Sequence, residues 1–154
     1  MSRVIGIDPG ASGAIAIVSD GDLVIHDMPV VEIRGRRMVC ASLMAALIGP
    51  EPALAVIEHV QGVQGTGATS AFSFGRSFGL AEGVVTGMGH GIQLVRPQVW
   101  TKELNVSRDK GEHRAAAARL WPKHAGLFAR VKDDGRADAA LLCHWYMRRQ
   151  GDGL

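Results

Sequence analysis

Cysteine is scarce: the chain holds two, Cys40 and Cys143, and neither stands in a CxxC or a Cys/His zinc spacing. That excludes a disulfide framework and a thiolate zinc site, and makes a reducing cytoplasm the expected compartment. The opening run Met-Ser-Arg-Val-Ile-Gly-Ile-Asp lacks the basic and apolar regions of a signal peptide. No apolar run approaches the roughly 18 residues needed to span a bilayer. Linkers, repeats and low-complexity tracts are missing too, so residues 1–154 are expected to form one domain with a buried core. Excess charge is small, +2 overall, but unevenly placed. From Arg96 onward stand 12 Lys/Arg against 7 Asp/Glu, a balance of +5; residues 1–95 hold 5 against 8, or −3. This suits a centre that holds cations beside a surface that holds phosphates, although on charge alone ordinary surface charge is the better explanation.

What is present is glycine, 20 residues of it, and an ordered set of short elements. Residues 4–8 form an apolar run ending in Asp8, followed by the turn Pro9-Gly10-Ala11-Ser12-Gly13. Residues 14–18 and 23–27 read as two further strands joined by a tight Asp20-Gly21-Asp22 turn. Residues 30–37 read as a polar connection carrying Arg34, Arg36 and Arg37, and residues 38–48 as a helix stopped by Gly49-Pro50. Residues 53–58 are an apolar strand ending in Glu58, and residues 62–67 a flexible glycine-rich stretch. Then come a helix at 70–86, a strand at 92–95, a short helix at 97–104 with Pro97 early, and helices at 108–120 and 136–149 with a connection at 124–131. The expected fold is α/β: a mixed five-stranded sheet with helices on both faces.

Two acids, Asp8 and Glu58, end apolar strands, where an ionised carboxylate is costly unless paired or metal-bound. If those strands are neighbours, both side chains emerge at one sheet edge, the place where α/β proteins bind ligands. A third cluster opens the last helix, where Asp134 and Asp138, four apart, share a face. Taken alone, Asp134 also reads as a helix cap and Asp138 as a first-turn acid. Converging carboxylates need cations between them, and oxygen ligands select Mg²⁺ or Mn²⁺ over zinc. Two such ions suit phosphodiester hydrolysis.

Ile5-Gly6-Ile7-Asp8-Pro9-Gly10 with Ser12-Gly13 resembles the opening of RuvC-type Holliday-junction resolvases of the ribonuclease-H-like superfamily. Ile57-Glu58-His59-Val60 resembles their second acidic strand, residues 68–83 their next helix, and residues 134–141 their final acidic helix, in order along nearly the whole chain. The resemblance implies a ribonuclease-H-like fold, a homodimer, a four-way DNA junction as substrate and paired nicks made with Mg²⁺, two ions with Mn²⁺ as substitute. Asp8, Glu58 and Asp138 are then the metal-binding acids. The family's fourth acid, three residues before the last, meets Gly135 here, which leaves Asp134 as the nearest candidate. The aromatic that many members carry near Gln61 is absent. Lys110 matches a family lysine expected at the scissile phosphate; a second family lysine falls near Trp100, with Lys102 as its substitute or simply a solvated residue.

Other phosphate candidates are Arg76, Arg96, Arg108, Arg114 and Arg136. Gly75, Gly79, Gly83 and Gly87 form a stripe expected to lie against the sheet, with part of the set Phe72, Phe74 and Phe78 at a dimer contact. His59 should face away from Glu58 by strand alternation. His113 and His144 read as surface or packing residues, Trp121 and Trp145 as core or near-core, and Cys143 as a small core residue. Three rival readings stand beside the resolvase: a sugar-kinase or actin-like ATPase, for which one domain is too short; a non-catalytic nucleic-acid or protein-binding module of the same fold; and a nuclease of this fold for flaps or RNA.

Overall fold

The computed structural model describes residues 3–62 and 65–151. Part of the glycine-rich stretch at 62–67, namely residues 63 and 64, lies outside the described residues. Strands β1 (Val4–Asp8), β2 (Ala14–Ser19) and β3 (Asp22–Asp27) form an antiparallel meander. Asp20 and Gly21, at φ 51° and 85°, make the tight left-handed turn that matches strand twist. Strands β4 (Val30–Ile33) and β5 (Arg36–Val39) precede helix α1 (Ala41–Ile48), strand β6 (Leu54–Glu58), helix α2 (Ala68–Gly87) and strand β7 (Gly91–Val95). Helices α3 (Pro97–Glu103), α4 (Lys110–Leu120) and α5 (Asp134–Gln150) complete the order.

The five-stranded sheet runs β3-β2-β1-β6-β7, with β6 parallel to both β1 and β7. Because side chains alternate along a strand, the central strands feed two cores at once. Ile5, Ile7, Ile15 and Ile57 meet Met44 and Ile48 of α1 and Ala81 and Val85 of α2 on one face. Val4, Ala16 and Val56 meet α4 and α5 on the other, with Trp121, Trp145 and Cys143 buried among them. Each such aliphatic side chain contributes about 1.5–3 kcal/mol when fully buried. Helix α5 lies against β1 so closely that a Cβ on Gly6 would stand 2.0 Å from the Ala139 carbonyl oxygen. Among the described residues no helix is long and apolar enough to cross a membrane.

Three expectations are corrected. The polar connection at 30–37 is a two-stranded hairpin, β4 with β5, turned by Arg34 and Gly35, both at positive φ. Its arginines mask the strand pattern, and helix α1 accordingly starts at Ala41 rather than residue 38. The connection at 124–131 is mostly 3-10 helix, Pro122–Phe128, followed by Val131–Asp133. The glycine stripe of α2 does not pack on the sheet: a Cβ at Gly75, Gly79, Gly83 or Gly87 meets nothing within 4 Å. The face that docks is Ser77, Ala81 and Val85, all buried.

Candidate active site

Asp8 and Glu58 close adjacent parallel strands, paired from Val4 with Leu54 to Ile7 with Ile57. Alternation decides their direction. Val4 and Val56 point to the α4–α5 face, so Asp8 and Glu58, an even number of residues on, point there too. Helix α5 crosses the same face and brings in Asp138, which is fully buried. The three acids therefore come together from three elements. His59 turns the other way and stacks on Phe78 of α2 at 5.0 Å, as alternation requires.

The electrostatics follow from burial and crowding. Burial first, then the charges of Glu58 and Asp138, push the Asp8 carboxyl up to about 7; Lys110 and the Gly10 amide pull the other way. Glu58, also buried, is raised by burial and by Asp138, against a hydrogen bond that Trp100 Nε1 donates to its Oε2 at 2.8 Å. The Lys110 ammonium hydrogen-bonds Asp138 Oδ2. Partial burial works against its charge, but Asp138, Glu58 and Asp8 together outweigh this and raise it. One ammonium thus faces three carboxylates, a surplus of negative charge.

Two neighbours join the site that the sequence does not announce. His113, expected at the surface or in packing, is buried, its Nδ1 2.7 Å from Asp138 Oδ1 and its Nε2 2.7 Å from the Ser107 carbonyl. Both partners accept only, so both ring nitrogens donate. Burial opposes the imidazolium, but the Asp138 hydrogen bond and charge outweigh it and raise His113. Trp100, at the place of a family lysine, instead orients Glu58 and meets the His113 ring edge-on at 5.2 Å. The spacing of Lys110 and His113, one turn of α4, was the available signal.

The remaining candidates divide by their partners. Asp134 does share a face with Asp138, but Arg114 Nη1 holds it at 3.1 Å. Gly135, where the family carries an acid, has no room for one: a Cβ would meet Gly13 Cα and the Ser12 carbonyl at 2.9 Å. Arg76 donates to the Val39 carbonyl at 3.4 Å, and Arg136 clasps Asp27 at 2.7 and 3.0 Å. Lys102 is exposed on α3. Arg108 and Lys110 line a groove of about 260 Å³ together with Glu58, Trp100 and His113.

Oxygen-only donors crowded enough to raise Asp8 fit a hard divalent cation. Among the described residues no three His, Cys, Asp or Glu side chains are already drawn together as a cage, and Lys110 supplies the positive charge between them.

No protein-family model matches the chain. It is 31% identical over 117 residues to the chloroplastic Holliday junction resolvase MOC1 of Chlamydomonas reinhardtii, a match covering 71% of this chain and only 13% of that protein's length. Its fold is similar to Thermus thermophilus RuvC in complex with a Holliday junction substrate, at TM-score 0.62 and 16% identity over 97% of each chain. A second Thermus thermophilus RuvC structure gives 0.56 and 18% over 97% of each. With this sheet order and these likenesses, the chain carries the fold of the RuvC structures it resembles.

Proposed function

We propose that this protein is a metal-dependent endonuclease that cuts four-way DNA junctions by paired phosphodiester hydrolysis. The convergence of Asp8, Glu58 and Asp138 at one end of the sheet, beside the cations Lys110 and Arg108, carries this reading. The relative and structural neighbour named for Holliday junctions support the substrate, and the resemblance to RuvC-type resolvases implies a metal ion.

Asp8, Glu58 and Asp138 would hold the cations, Mg²⁺ by our reading with Mn²⁺ as substitute. A divalent ion there supplies a Lewis acid for the phosphoryl group and makes water a stronger acid. The chain's own residues do the rest. Trp100 fixes the Glu58 carboxylate, and His113, anchored on the Ser107 carbonyl, fixes that of Asp138. Lys110, half exposed on a flexible stem and hydrogen-bonded to Asp138, would be within reach of the scissile phosphate once a cation neutralised Asp138. Asp134, held by Arg114, supports the first turn of α5 and stands next in line as a metal ligand. Lys102, Arg76 and Arg114 add positive charge around the site. Cuts in two strands need two such centres, so the working unit is a homodimer.

The test is cleavage of an end-labelled immobile junction against matched duplex and flap DNA, with Mg²⁺, Mn²⁺ or EDTA. Symmetric paired nicks in the junction, lost in EDTA, are expected. Equal cutting of the flap favours a nuclease for other branched DNA; binding without cutting under either metal favours a non-catalytic module.

A further inference from the structure

The carboxylates sit centrally along the sheet end, and the groove with Arg108 and Lys110 lies on their β6–β7 side. The β3 side carries a second cleft. Asp8 and Asp27 both pair with Ala14, so the ends of β1 and β3 share one edge, two strand spacings or about 10 Å apart. There the β4–β5 hairpin faces the 3-10 turn Val131–Asp133, across a cavity of about 300 Å³ lined by Ser12, Arg37, Arg130 and Lys132 together with Asp27 and Asp133.

The charges of this cleft do not cancel. Asp133 is fully buried and taken by Arg130, through its guanidinium at 2.8 and 3.1 Å and its backbone amide at 2.8 Å. Asp27 is taken by Arg136. Two cations are left over. Arg37 donates only to the neutral Ala11 carbonyl, at 3.2 Å, and Lys132 is exposed; among the described residues neither has a carboxylate partner. Arg34 and Arg36 extend the positive charge along the hairpin, whose residues 32–37 are all exposed. An isolated two-stranded hairpin is marginal in water. Here Arg37 on the Ala11 carbonyl and Arg76 on that of Val39 tie it to the body, at the end where the acids lie.

We propose that this cleft is a second phosphate site: Arg37 and Lys132 grip a backbone phosphate of the DNA on the opposite flank of the carboxylates from Lys110. The inference rests on the nuclease reading and deepens it. The strand to be cut is held on both sides of the acids, by cations that position without reading bases.

The test is binding of a fluorescent four-way junction in EDTA, followed by anisotropy over a range of salt. It compares the wild type, Lys132→Ala, Arg37→Ala with Lys132→Ala, and Arg148→Ala at the far end of α5 as a control. Lys132→Ala is expected to weaken binding about 3- to 10-fold and the double variant more, the slope of log K against log salt falling by about 1 for each phosphate no longer held. If Arg37→Ala lowers the melting temperature, Lys132→Ala alone decides. Unchanged affinity and slope in Lys132→Ala, or an equal loss in Arg148→Ala, overturns the site while wild-type binding and cutting leave the nuclease reading intact. A wild type that neither binds nor cuts the junction removes both.

Discussion

Asp8 holds a negative charge where the fold resists one. Its pKa, about 7, lies above the 3.8 of an ordinary aspartate, so the folded chain keeps a proton that the unfolded chain has lost between about pH 4 and pH 7. Stability from this group falls as pH rises through that window, and the full cost stands above it. Asp8→Asn should therefore stabilise the metal-free protein at pH 8, on the order of 2 kcal/mol, with the gain gone near pH 4. Thermal melts in EDTA across that range check this; a lower melting temperature at pH 8 would count against it. His113 acts through Asp138. His113→Ala should cut turnover about 10- to 100-fold, as loss of a group orienting a metal ligand does, with junction affinity held. A parallel fall in affinity would mean the site had merely collapsed. Gly135→Asp, which reinstates the family's acid, should cost about 1–3 kcal/mol by overpacking against the Ser12-Gly13 turn, read by denaturant unfolding.

At the scale of elements, legibility followed hydrophobic pattern. Strands β1 and β6 were plain because each is a short apolar run ended by an acid, and α5 because acids open it and apolar residues follow. The β4–β5 hairpin was hidden because its turn is Arg34-Gly35 and its outer positions are charged, so its sequence has the polarity of a loop. His113 and Trp100 were missed for a different reason: their roles come from the crossing of α4 and α3 over the strand ends, a juxtaposition no local pattern reports. The α2 stripe was misjudged because glycine spacing marks a smooth face without saying what faces it. Since nothing lies within 4 Å of a Cβ at Gly79, Gly79→Ala should stabilise the chain by about 0.5–1 kcal/mol. A destabilised or dissociated protein, by melting and by sedimentation, would instead mark the stripe as a surface covered by a second copy.

Across the whole molecule, charge is sorted along one end of the sheet: Arg37 and Lys132 on the β3 side, three carboxylates at the centre, Lys110 and Arg108 on the β6–β7 side. Cations on the flanks and a carboxylate centre between them suit a phosphodiester strand laid across the sheet end, its flanking phosphates attracted and its central one brought to the carboxylates. The early acidic and later basic balance of the sequence anticipated the two kinds of charge but not their arrangement. Whether the carboxylate centre cuts DNA is decided by following binding and nicking of one labelled four-way junction by the wild type and by Asp8→Asn, in Mg²⁺, under single-turnover conditions. Both proteins should bind the junction with similar affinity, and only the wild type should nick it, in opposed strands. Nicking retained by Asp8→Asn would remove Asp8 from the chemistry and the carboxylate centre with it.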